Sequence, residues 1–545
     1  MTARDKVIVV ALIGLMVVAS VAAIAFEQNA EGGDPAFGGT YVEGVSGVPR
    51  FLNPVIAATD VDEDVVRLAF SGLTRYDQTG AIVPDLASTF RTESDGRIWT
   101  FEIRDDAKWH DGQPVTSDDV VFTVKLLQDR GYVGPYSDAF RGVTVDRVDD
   151  RTVRFTLPDV YGPFADSTTV PLLPSHLLGS VAYADLQRQQ FNVSPVGSGP
   201  FRVADIDGRQ VVLVRNDDFY RGRPARGRPY LDKVILRFYP DQTGALLALS
   251  RGEIDGVGNL SSQDAERARS LKNVVLYSLP TDNFVSLFLN VRPEKVVFRD
   301  RAVRQAIATA IDRGKVLQLA ADGRGTVADE FVPSSSWAYV KDVTRYTYST
   351  DDATALLDGA DWKDHDGDGV RDKGGQKLAF TISTSEEPAR TAAAAQIQRD
   401  LNAVGMNVTV QSMPFGQLVD SVARQRAFDA LLVEIAVSGD PDPYTFFHST
   451  EVNDPGHNFS GFSTLPIDRS LESARRTFGE DARRDLYAPV FQAISKEVPV
   501  VFLYFSDYLY AQSRQVQGLR IAPLTDPRER FWNVEDWYVR TQPRR

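Results

Sequence analysis

The densest set of hard-metal ligands in the sequence is Asp364-His365-Asp366-Gly367-Asp368-Gly369-Val370-Arg371-Asp372. Carboxylates at Asp364, Asp366, Asp368 and Asp372, with Gly369 at the sharp turn, follow the spacing by which calcium loops wrap one cation in alternating oxygens. The closing position holds Gly375 instead of a bidentate glutamate, and residues 377–382 alternate like a strand instead of opening a helix. Two readings stand: a structural calcium site, or a solvated Asp-Gly turn. No other cofactor is expected. A second acidic group surrounds Pro441-Asp442-Pro443. Apolar Ala430-Leu431-Leu432-Val433 reads as a buried strand that runs through Glu434 towards Asp440 and is stopped by the prolines. On an undistorted strand Glu434, Ala436, Ser438 and Asp440 share one face. Three of those four are polar, which suits a cleft wall better than a core. Glu434, Ser438 and Asp440 are therefore candidates to line a binding site, the other reading being that Asp440 merely begins a Pro-supported turn, and Asp442, between two prolines, is expected to be structural.

Aromatic residues supply further candidates. Phe284, Ser286 and Phe288 alternate onto one strand face, as the wall of a side-chain pocket or as core. Tyr132 and Tyr136, in the Gly-rich segment 131–136, are placed to close over a ligand. Catalytic constellations are poorly represented. The five histidines form no His-Glu-x-x-His pair, and there is no Gly-x-Ser-x-Gly elbow and no phosphate loop. Cysteine is absent, which excludes disulfides, thiolate metal sites, a cysteine nucleophile and a lipidated cysteine anchor. A carboxylate-dependent extracellular hydrolase is the enzymatic reading that 74 acidic residues leave open.

The elements that must position these residues alternate between strand and helix. Trp99, Phe101 and Ile103 mark a half-buried strand, and Val153, Phe155 and Leu157 mark another. Thr116 and the acids after it open a helix with Val120, Val124 and Leu127 on one face. Asp300 precedes a helix whose face is Val303, Ala306, Ile307, Ala310 and Ile311. A strand at 378–382, a helix ended by Gly405 and a strand from Val408 form a β-α-β unit. With 545 residues, two or three lobes of mixed α/β structure are expected. The net charge of −14 argues against nucleic acid as a partner. Arg4 and Lys6 precede the apolar run Val7 to Phe26, which reads as a cleaved export signal or a retained anchor; both place the body outside the cytoplasm, at the periplasm or outer membrane face. Residues 27–38 read as a polar tether.

The order of segments resembles the bacterial solute-binding protein family 5, the peptide- and nickel-type binding proteins of ABC importers. The resemblance runs through Gly47-Val48-Pro49-Arg50-Phe51-Leu52-Asn53-Pro54, Phe70 to Asp77, Pro84-Asp85-Leu86-Ala87, and Trp99 to Arg104 with Lys108-Trp109-His110-Asp111-Gly112. It continues through Pro195 to Phe201, Arg304-Gln305-Ala306-Ile307 with Asp312-Arg313, Pro441-Asp442-Pro443 and Glu497 to Tyr504. It implies a two-lobed periplasmic-binding-protein-like fold of type II, its mixed sheets flanked by helices. Lobe I takes residues 39–75, 194–280 and 500–545, an inserted subdomain takes 76–193, and lobe II takes 281–499. It also implies a monomer that captures a peptide-like solute by hinge closure and delivers it to a permease and ATPase complex. A sugar, an opine or a nickel chelate is the alternative cargo. Gly47 and Val48 stand where relatives offer backbone hydrogen bonds to an extended ligand. Peptide-binding relatives carry an amine-pairing aspartate just before Pro-Asp-Pro. Here that position is Gly439, and Asp440 is one residue over.

Overall fold

The computed structural model describes residues 35–540, apart from residues 94, 95, 133, 135, 222–227, 438 and 525 and the side chain of Asp138. The segment Val7 to Phe26 and residue Ser438 lie outside the described residues. Among the described residues no helix is long and apolar enough to cross a membrane.

Alternation at Trp99, Phe101 and Ile103 produces the strand Ile98–Ile103, with all three side chains buried. It lies between Ala87–Glu93 and Thr152–Thr156, and Thr144–Arg147 completes a four-stranded antiparallel sheet. The helix Ser117–Leu127 packs on this sheet and starts at a capping box of Thr116 and Asp119. Trp99, Phe101 and Phe155 belong to the same apolar core as Tyr41, Val65 and Trp537, so the inserted subdomain and lobe I share one interior.

Eleven other strands form one mixed sheet, and the rest pair in short two-stranded ladders. On the lobe II side, Ala379–Ser385 lies parallel to both Asn407–Met413 and Ala430–Ile435. The helix Pro388–Ala403 makes the first connection, as the β-α-β pattern expects. On the lobe I side, Thr40–Ser46 lies parallel to Lys233–Tyr239, and Gln210–Arg215 and Phe201–Ile206 extend the sheet antiparallel. Asp300 caps Arg301–Ala310 through the Ala302 N–H at 3.0 Å, and Asp312 caps Arg313–Ala321 through the Lys315 N–H at 2.9 Å. Gly199 is held to glycine by close approach, since a Cβ there would lie 2.6 Å from the Ala69 carbonyl carbon.

Two long antiparallel strands, Val274–Leu289 and Val500–Ser513, carry the sheet from one lobe to the other. Residues 274–280 pair with 507–513, residues 284–288 pair with 500–505, and the register slips between Pro280 and Phe284. Thr281 spans the slip by donating its hydroxyl to the Ser506 carbonyl at 2.7 Å. This corrects the expected lobe boundary at 499/500. Residues 500–505 complete the lobe II sheet, and the chain re-enters lobe I only at about Asp507. The tail then returns across lobe I. Buried Arg530 donates to both oxygens of Asp64 at 2.7 and 2.6 Å and to Glu43 at 3.1 Å.

Candidate binding cleft between the lobes

A cavity of about 540 Å³ lies between lobe II and the unit formed by lobe I and the subdomain. Lobe I contributes Arg67, Asp526 and Arg528, the region around the subdomain Arg75, Tyr76, Tyr136 and Asp166, and lobe II Gly439, Asp440, Asp442, Phe446 and His457. A smaller space of about 240 Å³ continues beyond, walled by Phe90, Trp99, Trp337 and Phe478. Tyr76, Pro163, Asp166, Gly439 and Asp440 line both, so they form the constriction between them.

The charged groups of the cleft are unevenly satisfied. Asp440 accepts two bonds from Arg483, both at 2.5 Å, and Arg483 donates again to Tyr487 at 2.7 Å. Asp442 accepts from Arg475 at 2.5 Å, and Arg475 lies 3.6 Å over the Tyr444 ring. Asp166, from the short helical turn Phe164–Ser167, has no such partner, and its buried Oδ1 accepts no hydrogen bond. Burial, and then the charge of Asp440, push its carboxyl up to about 8 against weaker opposing pulls from the Asp440 amide and Arg483. Arg75 is the corresponding cation. Its Nε is buried without a partner and its Nη1 donates to the Tyr76 carbonyl at 3.0 Å, with no ion pair to a carboxylate among the described residues. Burial, and then repulsion from Arg221, lower its pKa.

The family model for bacterial extracellular solute-binding proteins, family 5 (middle region), matches residues 81–457. The chain belongs to this family. It is 31% identical over 520 residues to the oligopeptide-binding protein AppA of Bacillus subtilis, covering 93% of each chain. The solved structure of that protein in complex with a nonapeptide matches with a TM-score of 0.74 at 30% identity, over 93% of this chain and 100% of the other. NikZ from Campylobacter jejuni in complex with Ni(L-His) matches with a TM-score of 0.76 at 26% identity, over 92% and 99%. These likenesses bear out the two-lobed periplasmic-binding-protein fold and the mixed sheets flanked by helices.

In this family 5 chain the residues singled out from the sequence are scattered. Asp440 and Tyr136 line the cavity; Tyr136 lies near Arg528, and burial holds its phenol above the ordinary range. Tyr132 does not line it: the ring is buried edge-on against Tyr183, 5.8 Å away. Phe284, Ser286 and Phe288 are core, because their strand is covered on both faces; Phe284 packs on Phe331, Phe446 and Phe502. Glu434 is not a cleft group either, since it is ion-paired with Arg390, which also donates to Tyr504 at 2.9 Å. The expected polar face fails because the strand ends at Ile435 and the chain turns at Gly439, where φ is 76°. Beyond that end Ala436, Val437, Gly439 and Asp440 all reach the cavity, without alternation.

Gly47 and Val48 are exposed and do not line the cavity, and the Gly47 N–H is already donated to the Tyr239 carbonyl at 3.0 Å. The acidic loop forms a tight turn. Asp364 accepts the Gly367 and Gly369 amides, Lys377 reaches Asp366 at 2.6 Å and Asp368 at 2.9 Å, and Asp372 faces His365 at 3.2 Å. Asp364, Asp366 and Asp372 converge there.

Asp166 and Arg75 were not found by sequence reasoning. Neither sits in a spacing that marks chemistry. The one available signal was Gly439, whose missing side chain implied that an acid, if needed, must come from elsewhere.

Proposed function

We propose that this protein is the extracytoplasmic substrate-binding component of an ABC importer and that its cargo is an oligopeptide or peptide-like solute. The observation that carries this reading is the interlobe cavity, which joins a carboxylate and a guanidinium that each lack an ion-pair partner among the described residues, and an aromatic side space. A peptide presents a matching ammonium, carboxylate and apolar side chains. The relationship to oligopeptide-binding AppA supports the same cargo. Binding needs only reversible lobe closure about the two long strands, with no turnover. Mass spectrometry of ligand released from the purified protein tests the cargo. Peptides should be found, and they should raise the melting temperature and compact the scattering profile. Recovery of a non-peptide solute that does both would replace the reading.

A nickel chelate is the second reading, on the strength of the likeness to NikZ and of His457 on the cavity wall. Burial, and then Arg426, lower the His457 pKa, which keeps the imidazole free to ligate. Elemental analysis of the purified protein decides between the two. We further infer that Val7 to Phe26 exports the chain and is either removed or kept as an anchor. N-terminal sequencing of the mature protein distinguishes a start near Phe26 from an intact leader.

A further inference from the structure

Two aspartates, Asp166 and Asp440, line the constriction between the two cavities, and a third, Asp442, lines the larger cavity beside it. Asp440 and Asp442 each hold a guanidinium, so neither is available to a ligand without breaking a formed ion pair. Asp166 is the acid left over. Its Oδ1 is buried and has no hydrogen-bond partner, and the residue lines both cavities. It also lies in an informative place. A Cβ added at Gly439 would sit 2.5 and 2.6 Å from the two Asp166 carboxylate oxygens and 2.7 Å from the Tyr76 hydroxyl. The Asp166 carboxylate, reaching across from the subdomain, thus fills the space into which a side chain at 439 would project.

We propose that Asp166 is the counter-ion for a cationic group of the ligand, an ammonium or a guanidinium, held at the constriction between the two cavities. The inference rests on the peptide-type reading above and deepens it. A carboxylate buried without a paired cation is disfavoured in its charged form, and here burial outweighs the opposing pulls of the Asp440 amide and Arg483 and favours the protonated form. An entering cation displaces that proton and supplies the missing partner. Gly439 keeps the opposite wall clear of side-chain atoms, and Arg483, already committed to Asp440, leaves the Asp166 oxygen free for the ligand.

The test compares wild-type protein with Asp166→Asn, which keeps shape and hydrogen-bonding capacity and loses the charge. Three nonapeptide pools made from Gly, Ala, Ser, Leu and Phe serve as probes: one with a free amino terminus, one N-acetylated, and one N-acetylated with a single added Lys or Arg. Wild-type protein should prefer a cationic pool over the plain acetylated pool by about 30-fold or more. Whether the free-amine or the Lys/Arg pool is preferred identifies the source of the cation. The Asn variant should lose that preference, its affinities for the cationic pools falling to that for the plain acetylated pool. A preference that survives in the Asn variant overturns the proposal. So does a uniform weakening across all pools, which would mark Asp166 as a contact that merely holds the lobes together. Equal binding of all pools by wild-type protein overturns it while leaving the peptide reading intact. Binding of no pool overturns the peptide reading and this inference together.

Discussion

Replacing Gly439 with alanine perturbs the cleft at one atom, and the structure separates two consequences. The first is local. With φ at 76°, a residue carrying a Cβ is strained by about 1–2 kcal/mol whatever surrounds it. That part acts on lobe II itself and should lower the melting temperature of ligand-free protein by roughly 2–8 °C. The second part exists only while the lobes touch. The new Cβ would lie 2.5 Å from the Asp166 carboxylate, which belongs to the other side of the cleft, roughly 1 Å short of ordinary contact. Overpacking of this kind costs about 1–3 kcal/mol, so ligand affinity should fall about 5- to 150-fold. Calorimetric titration with the co-purified ligand, beside thermal scans of the free protein, reads the two parts separately. Gly439→Asp should be worse than alanine, because it sets another carboxylate against Asp166. An alanine variant with unchanged affinity would refute the cross-cleft contact, and one with an unchanged melting temperature would refute the strain. Improved binding in the aspartate variant would show that this cleft uses the amine-pairing position expected of peptide-binding relatives after all.

Other consequences concern the groups around the cleft and the acidic loop. Asp440→Ala should destabilise the protein by about 3–5 kcal/mol, since it strands buried Arg483, and denaturant titration should register that loss. Buried Glu330 accepts only the Val340 N–H at 3.2 Å, and burial pushes its carboxyl up to about 8. Because the folded value is raised, its contribution is fully present below about pH 4.5 and is lost as pH rises through about 8. Glu330→Gln should flatten stability across that window, and an unchanged pH profile would count against the burial argument. Millimolar calcium should leave the melting temperature within about 1 °C, because Lys377 already neutralises Asp366 and Asp368. A saturable rise would restore the calcium reading of the Asp364–Asp372 loop.

Much of the architecture was legible without coordinates because it is written in local patterns. The strand at Trp99, the helix starts at Thr116 and Asp300, and the β-α-β unit at 379–413 depend on periodicity and capping within a few residues of each other. The ordered motifs also led to the family, since their sequence order reflects the order in which the lobes are built. The cleft was not legible in the same way. Alternation predicted a polar face through Glu434 and Asp440, but it could not show that the strand stops at Ile435, nor that Arg390 and Arg483 claim those two acids. The face carrying Phe284, Ser286 and Phe288 was equally compatible with cleft or core, and only packing by Phe331, Phe446 and Phe502 made it core. Asp166 lies more than 270 residues from Gly439 in the chain, yet their atoms compete for one space. The amino-acid sequence alone determined the elements, the lobes and the family. Which acid remains without a partner depends on distances between side chains from different lobes, and those are set only when the chain closes on itself.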